Sequence, residues 1–223
     1  MKRITAATMV AATVLFFVVN LIHPKEYTRD HEGEQLKVIA DHYQRWQVAH
    51  FLTLVSLLLF VVVVCGLAWL LYSRLDRMAI VGGLLGLWGL VCLGGVLALD
   101  GFTWGALGQV TTWSGVDRHT LALALKAVQQ SHWNLPFYAG ALMWLVGLLI
   151  LTIGLIRTQS IPAAAGWIFA LGVALVGIEA AIENNTYFIV ASSVLAIGGV
   201  WVGIALWHGD VRDSTLSGDL QTG

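Results

Sequence analysis

Four ionisable residues carry most of the chemistry that this sequence offers: His50, Asp100, His132 and Glu179. Each stands at or beside the edge of a long apolar run. The runs alternate in direction, so all four fall at one end of four successive hydrophobic segments. Two neutral imidazoles and two carboxylates form a sound donor set for a divalent metal such as zinc. Zinc takes nitrogen and oxygen ligands in tetrahedral geometry and, with one position open, activates water. In that reading His50 and His132 hold the metal, and Asp100 and Glu179 act catalytically on protons. Glu179 is notable because residues 168–178 lead into it without a polar neighbour. An ionised side chain at the centre of a bilayer costs roughly 2.5–3.5 kcal/mol, less near an interface, so such groups are tolerable where they face one another.

The other histidines read differently. Six of the seven fall on the same side as the four candidates. His42, Trp46 and His50 repeat at i, i+4 and i+8, which puts them on one helix face. His42 and His50 would then lie about 12 Å apart, too far to share one ion. The spacing puts His42 on an exposed helix face, and His23, His31 and His119 in solvated loops. Asn20 and His23, one turn apart, end the first apolar run. Tyr43, Tyr138 and Tyr187 are available as hydrogen-bond donors near the same end.

Three functions compete on these residues. The first is a metal-dependent hydrolase of a lipid-like substrate. The second is a non-enzymatic accessory subunit, sensor or transporter, in which the acids and histidines form a structural or proton-responsive network. Its partner would be another membrane protein. The third is electron transfer through haem b, with His50 and His132 as axial ligands. Whether the protein is an enzyme stays open at this point. The sequence has no HExxH, GxSxG, paired CxxC or phosphate-binding glycine loop.

The elements that must position these residues are membrane helices. The chain has 223 residues, of which 58% are hydrophobic and 11% charged. Globular proteins run near 45–50% apolar and about 25% charged. The lipid bilayer is therefore the main partner. A formal net charge of −1 gives no electrostatic footprint for nucleic acid. Runs of about 20 apolar residues span a bilayer, and six are present, at about 4–22, 47–72, 79–99, 135–156, 163–182 and 187–207. The expected fold is an all-α integral membrane bundle of six antiparallel transmembrane helices occupying 1–208. Residues 209–223 form a polar, flexible tail. The first run follows Lys2 and Arg3 as a signal peptide would, but its apolar core is long and no small-residue cleavage site follows Phe17.

The links at 73–78 and 157–162 are short and make antiparallel hairpins. Lys2, Arg3, Arg74, Arg77 and Arg157 lie on that side. The positive-inside tendency then places both termini in the cytoplasm of a bacterial plasma (inner) membrane, and the histidine-rich side in the periplasm. The two connections on the far side, 24–45 and 100–134, are long. The helical spacing of Leu36, Ile39, Tyr43 and Trp46 starts the second helix outside the bilayer as one continuous rod, with Asp30 as its cap. Residues 100–115 are rich in Gly, Thr and Trp and read as a lid or re-entrant loop. Leu121, Ala124, Leu125 and Val128 make an apolar stripe behind Asp117, a cap for an amphipathic helix. That helix would lie on the membrane or extend the fourth span.

Trp46, Trp104 and Trp133 mark one headgroup zone, and Trp69 and Trp207 the other. Trp88, in mid-span, reads as packing, and Cys65 and Cys92 as small buried residues. Gly82-x3-Gly86 and Gly199-x3-Gly203 match the pattern that lets helices approach closely, here within the chain.

Overall fold

The computed structural model describes residues 1–24, 31–131, 135–182 and 185–209, of which 100, 129, 136, 137, 179–182 and 185 by backbone alone. Among the described residues all regular structure is helical. The order is α1 (Lys2–Ile22), α2 (Glu32–Asp41), α3 (Tyr43–Tyr72), α4 (Asp76–Ala98), a π-helical segment (Leu99–Trp104), α5 (Gly105–Val110), α6 (Arg118–Gln129), α7 (Leu135–Arg157), α8 (Ala163–Ile182) and α9 (Asn185–His208). Five stretches are long and apolar enough to cross a membrane: Lys2–Ile22, Tyr43–Tyr72, Asp76–Val110, Tyr138–Arg157 and Thr186–His208.

These long helices are apolar on both faces, and the outward face explains why. Phe51, Leu58, Trp69, Leu84, Trp88, Val91, Trp167 and Ile197 are all exposed. A soluble monomer rarely leaves so much contiguous apolar surface in water, whereas a helix in lipid needs it, having satisfied its own backbone hydrogen bonds. Two expectations fail on this surface. Trp88 faces outward instead of packing, and Cys65 is exposed; Cys92 is half-buried. Hydropathy alone does not say which side of an all-apolar helix turns inward.

Helices α1, α3, α4, α7, α8 and α9 close into a ring in that order, with α9 returning to α1 and α3 touching α7 across it. Lipid tails are as apolar as the side chains, so the ring is held by close packing. The α4–α7 pair shows how close. A Cβ placed on Gly147 would stand 2.4 Å from the Gly86 nitrogen and 2.7 Å from the Gly82 carbonyl oxygen. On the α9 side Gly203 meets Val10 and the Ala6 carbonyl, and Gly199 meets Thr13. The spaced glycines therefore serve packing inside the chain, as their pattern predicts. The middle of the ring is filled by aromatic rings. Phe16 stacks edge-on against Phe60 at 6.3 Å and Phe188 at 6.0 Å, and Trp144 lies 5.3 Å from Phe60.

One end of the ring is pinned by its short turns. Arg74, between α3 and α4, donates to the Thr158 carbonyl at 3.1 Å, and the Arg3 guanidinium lies over the Trp207 ring. After α7, Gln159 takes φ 53° while Ser160 N–H reaches the Leu155 carbonyl at 3.0 Å. That is the bond pattern of a Schellman stop, here without glycine.

The other end carries a cap of short helices, α2, α5 and α6, where α2 packs on both of the others. Two predicted features change here. The second helix is not one continuous rod: it breaks at His42 (φ −124°, ψ 30°) into α2 and α3, and α2 is preceded by His31, with Asp30 outside the described residues. Residues 100–115 are not a lid or re-entrant loop. Residues 100–110 continue α4 outward through the π-helical turn into α5, which lies against α2, and 111–115 turn toward α6. Asp117 does cap α6, accepting from His119 N–H at 3.0 Å and from the Thr120 hydroxyl at 2.6 Å. The apolar stripe of α6 turns a fully buried Leu125 inward, and the helix packs on α2 as an element of its own.

Candidate functional site

At the capped end α1 finishes, α3 begins, α4 passes into its π-helical turn and α8 finishes. The side chains described there centre on His50. It sits two turns into α3 and is buried, only 6% exposed. Its position one turn below Trp46 lets its Nδ1 reach the Trp46 carbonyl at 2.9 Å. With that nitrogen as donor, the proton is held on Nδ1 and Nε2 is the atom through which the ring meets other groups.

The wall around His50 is aromatic. The Trp46 ring lies 4.4 Å away and is itself fully buried. Trp46 stacks in turn on Trp104 at 6.3 Å with 19° between planes. Gly101 presses directly against His50: a Cβ there would lie 2.8 Å from the histidine Cβ and 3.0 Å from its Cδ2. Only glycine lets the π-helical turn approach so near, and a π turn inside an α-helix is frequently found at functional sites. The indole N–H groups of Trp46 and Trp104 are buried without a hydrogen-bond partner among the described residues.

His23 is the residue that sequence reasoning misplaced. Instead of lying in a solvated loop it follows the last turn of α1, half-buried, with its ring 5.0 Å from both the His50 and Trp46 rings. Its Nδ1 meets the Pro24 carbonyl at 2.8 Å. Burial holds the His23 imidazole below the ordinary histidine range; its bond to the Pro24 carbonyl works against this, and the Arg45 guanidinium adds to it. Arg45 also ties α3 to the end of α1, donating from Nε to the Ile22 carbonyl. The residues alone show only the spacing of Asn20 and His23, one turn apart; the structure adds that Asn20 is buried and donates to the Phe16 carbonyl at 2.9 Å. Trp46 likewise faces protein, not a headgroup layer.

Of the four residues singled out for chemistry, His50 is thus fully placed. Asp100 lies in the π-helical turn next to Gly101, which brings its backbone beside His50; its side chain is outside the described residues. Glu179 falls in the last turn of α8, also described by backbone alone, and α8 packs on α7 and α9, across the ring from α3. His132 and Glu183 lie outside the described residues. Tyr138 is exposed, Tyr187 packs against the core, and the Tyr43 hydroxyl accepts from Gln47 Nε2 at 2.6 Å. His42, His31 and His119 are exposed, as their sequence context predicts. Among the described residues no group of three His, Cys, Asp or Glu side chains is arranged to hold a metal.

His23 and His50 do not fit the two axial positions of a haem, because the macrocycle would have to pass between rings 5.0 Å apart. A groove of about 510 Å³ opens over the α2–α3 break, lined by Asp41, His42, Tyr43, Arg45 and Gln109 among others and by neither His23 nor His50. No protein-family model matches the chain, and no curated protein or solved structure matches it either.

Proposed function

We propose that this is a six-span membrane protein, with α8 as the sixth crossing, whose capped end houses a metal-dependent hydrolase centre for a lipid-like substrate. Both termini lie in the cytoplasm and the capped end faces outward from the plasma (inner) membrane. His50 and His132 are the metal ligands. Asp100 and Glu179 relay protons at the same depth. One observation carries the reading: a buried histidine two turns into α3, with Nδ1 fixed on the Trp46 carbonyl, next to the glycine that follows Asp100. Metal-binding histidines characteristically have their second nitrogen held in this way. A bound zinc supplies a water whose pKa falls to about 7.

The test is elemental analysis of the purified full chain together with release of headgroup or fatty acid from a panel of phospholipids. Zinc near one equivalent, lost with activity in His50→Ala, is expected. Full hydrolysis by metal-free protein overturns the reading.

A second reading has its own observation. Trp46 is fully buried and His50 nearly so, a sealed arrangement that fits a structural or proton-responsive network in a sensor or accessory subunit better than an open active site. Stoichiometric co-purification with another membrane protein, without hydrolysis of any lipid, favours this one.

A further inference from the structure

We propose that His23 and His50 together bind one transition-metal ion of the zinc class, with His23 as a ligand in its own right. The inference deepens the proposed metal centre and rests on that reading for the ion's role, but its geometry stands apart from it. Three facts bear on it.

The first is spacing. Zinc–imidazole bonds are about 2.0–2.1 Å long, and the ring centre lies about 1.1 Å beyond the nitrogen. Two imidazoles at a tetrahedral angle on one ion therefore have centroids about 5 Å apart. The rings of His23 and His50 are 5.0 Å apart with 60° between planes, neither stacked flat nor separated.

The second is tautomer. Each ring has Nδ1 on a backbone carbonyl, that of Pro24 for His23 and of Trp46 for His50, at 2.8 and 2.9 Å. Both are thereby prepared to use Nε2, which is the orienting contact that metal-ligating histidines show.

The third is anchorage. His50 belongs to a long helix and is backed by Gly101, and His23 is held at the end of α1 by the bond from Arg45 to Ile22. The two ligands come from different elements that are already fixed, so the order they bring need not be created on binding. A carboxylate is the natural third ligand, and Asp100 is the acid whose backbone the fold brings alongside.

The experiment is titration of the purified full chain in detergent with Zn2+ alone, and with Cu2+ read by electron paramagnetic resonance. Wild-type protein is expected to bind one Zn2+ per chain, and its Cu2+ spectrum to show coupling to two or more imidazole nitrogens. His23→Ala should weaken Zn2+ binding by more than the 10–100-fold typical of losing an orienting contact, and remove one nitrogen coupling. His119→Ala, at an exposed position on α6, should change neither. His23→Asn, a smaller perturbation, serves if the alanine variant fails to fold. Unchanged affinity and coupling in a folded His23 variant overturn this inference even if His132→Ala abolishes binding, which would leave the broader metal centre standing. Tight binding through His23 without hydrolysis of any lipid does the reverse.

Discussion

Two aromatic clusters occupy the bundle, and they use similar residues to different ends. In the middle of the ring, Phe16, Phe60, Trp144 and Phe188 pack edge to face from α1, α3, α7 and α9. Their contacts are dispersion and quadrupole, and apart from the indole N–H of Trp144, without a hydrogen-bond partner among the described residues, they bring no polar atoms. At the capped end, His23, Trp46, His50 and Trp104 come together from α1, α3 and the π-helical turn. Here two of the four rings are imidazoles, each tied to a main-chain carbonyl. The first cluster fills volume and the second fixes orientation. Burial and ring packing alone do not separate the two clusters; the hydrogen bonds of the two imidazoles do.

Removing the large ring from the middle should show the largest effect. Trp144 is 3% exposed and touches Phe16 and Phe60. Trp144→Ala should cost about 3–5 kcal/mol, as large-to-small core changes do, read as loss of cooperative thermal unfolding in detergent. If the variant unfolds like wild type, the middle cluster is not the packing centre. Gly147→Ala comes next. Its new methyl would meet Gly86 main chain, which cannot turn aside, so α4 and α7 must separate. Overpacking of this kind costs about 1–3 kcal/mol, with midpoint denaturation as the measurement. A wild-type midpoint would mean the two helices yield more freely than their contact implies.

Gly101→Ala makes the matching intrusion at the capped end, against His50 Cβ and Cδ2. The expected outcome differs in kind. The histidine ring should be displaced, changing the Zn2+ affinity roughly 10–100-fold as disturbed orienting contacts do, while the denaturation midpoint moves less than in Gly147→Ala. Equal loss of stability with unchanged Zn2+ affinity would mean that both clusters are packing and nothing more.

How much of this was readable in the residues follows the same division. The long helices were, since an apolar run of bilayer length has few other folds open to it. The spaced glycines were, because Gly82, Gly86, Gly199 and Gly203 have a periodicity that packing requires. The inward direction was not: Trp88 and Cys65 lie in runs that are apolar all round, and tertiary packing alone chose their face. Nor was the break at His42, because the helical period of Leu36, Ile39 and Tyr43 passes through it without a proline or glycine to stop it. The burial of His50 was legible from its depth below Trp46. His23 was missed because it stands just outside a helix before Pro24, where sequence context reads as loop, and its burial depends on α3, which no local signal reveals. Glycine and threonine made 100–115 look like a loop, yet Gly101 and Gly108 stand where helix meets helix too closely for a Cβ.

The cap should also be the part that opens first, and Asp117 gives a way to see it. Its carboxylate is held below the ordinary aspartate range mainly by the Thr120 hydroxyl, with His119 N–H adding. A carboxyl depressed in the folded state stabilises that state fully above its unfolded pKa and loses the effect as pH falls through the folded one. Acidification below the usual carboxylate range should therefore loosen the start of α6, not tighten it. Hydrogen exchange at its first turn should accelerate on acidification beyond the intrinsic pH dependence of the amides. In Asp117→Ala it should be fast at neutral pH already. The ring helices should keep their protection in both cases, since α6 packs on α2 and local opening draws on the least buried elements. If exchange in α1, α3 and α9 rises together with α6, the cap and the bundle unfold as one unit, and the two clusters do not have separate stabilities.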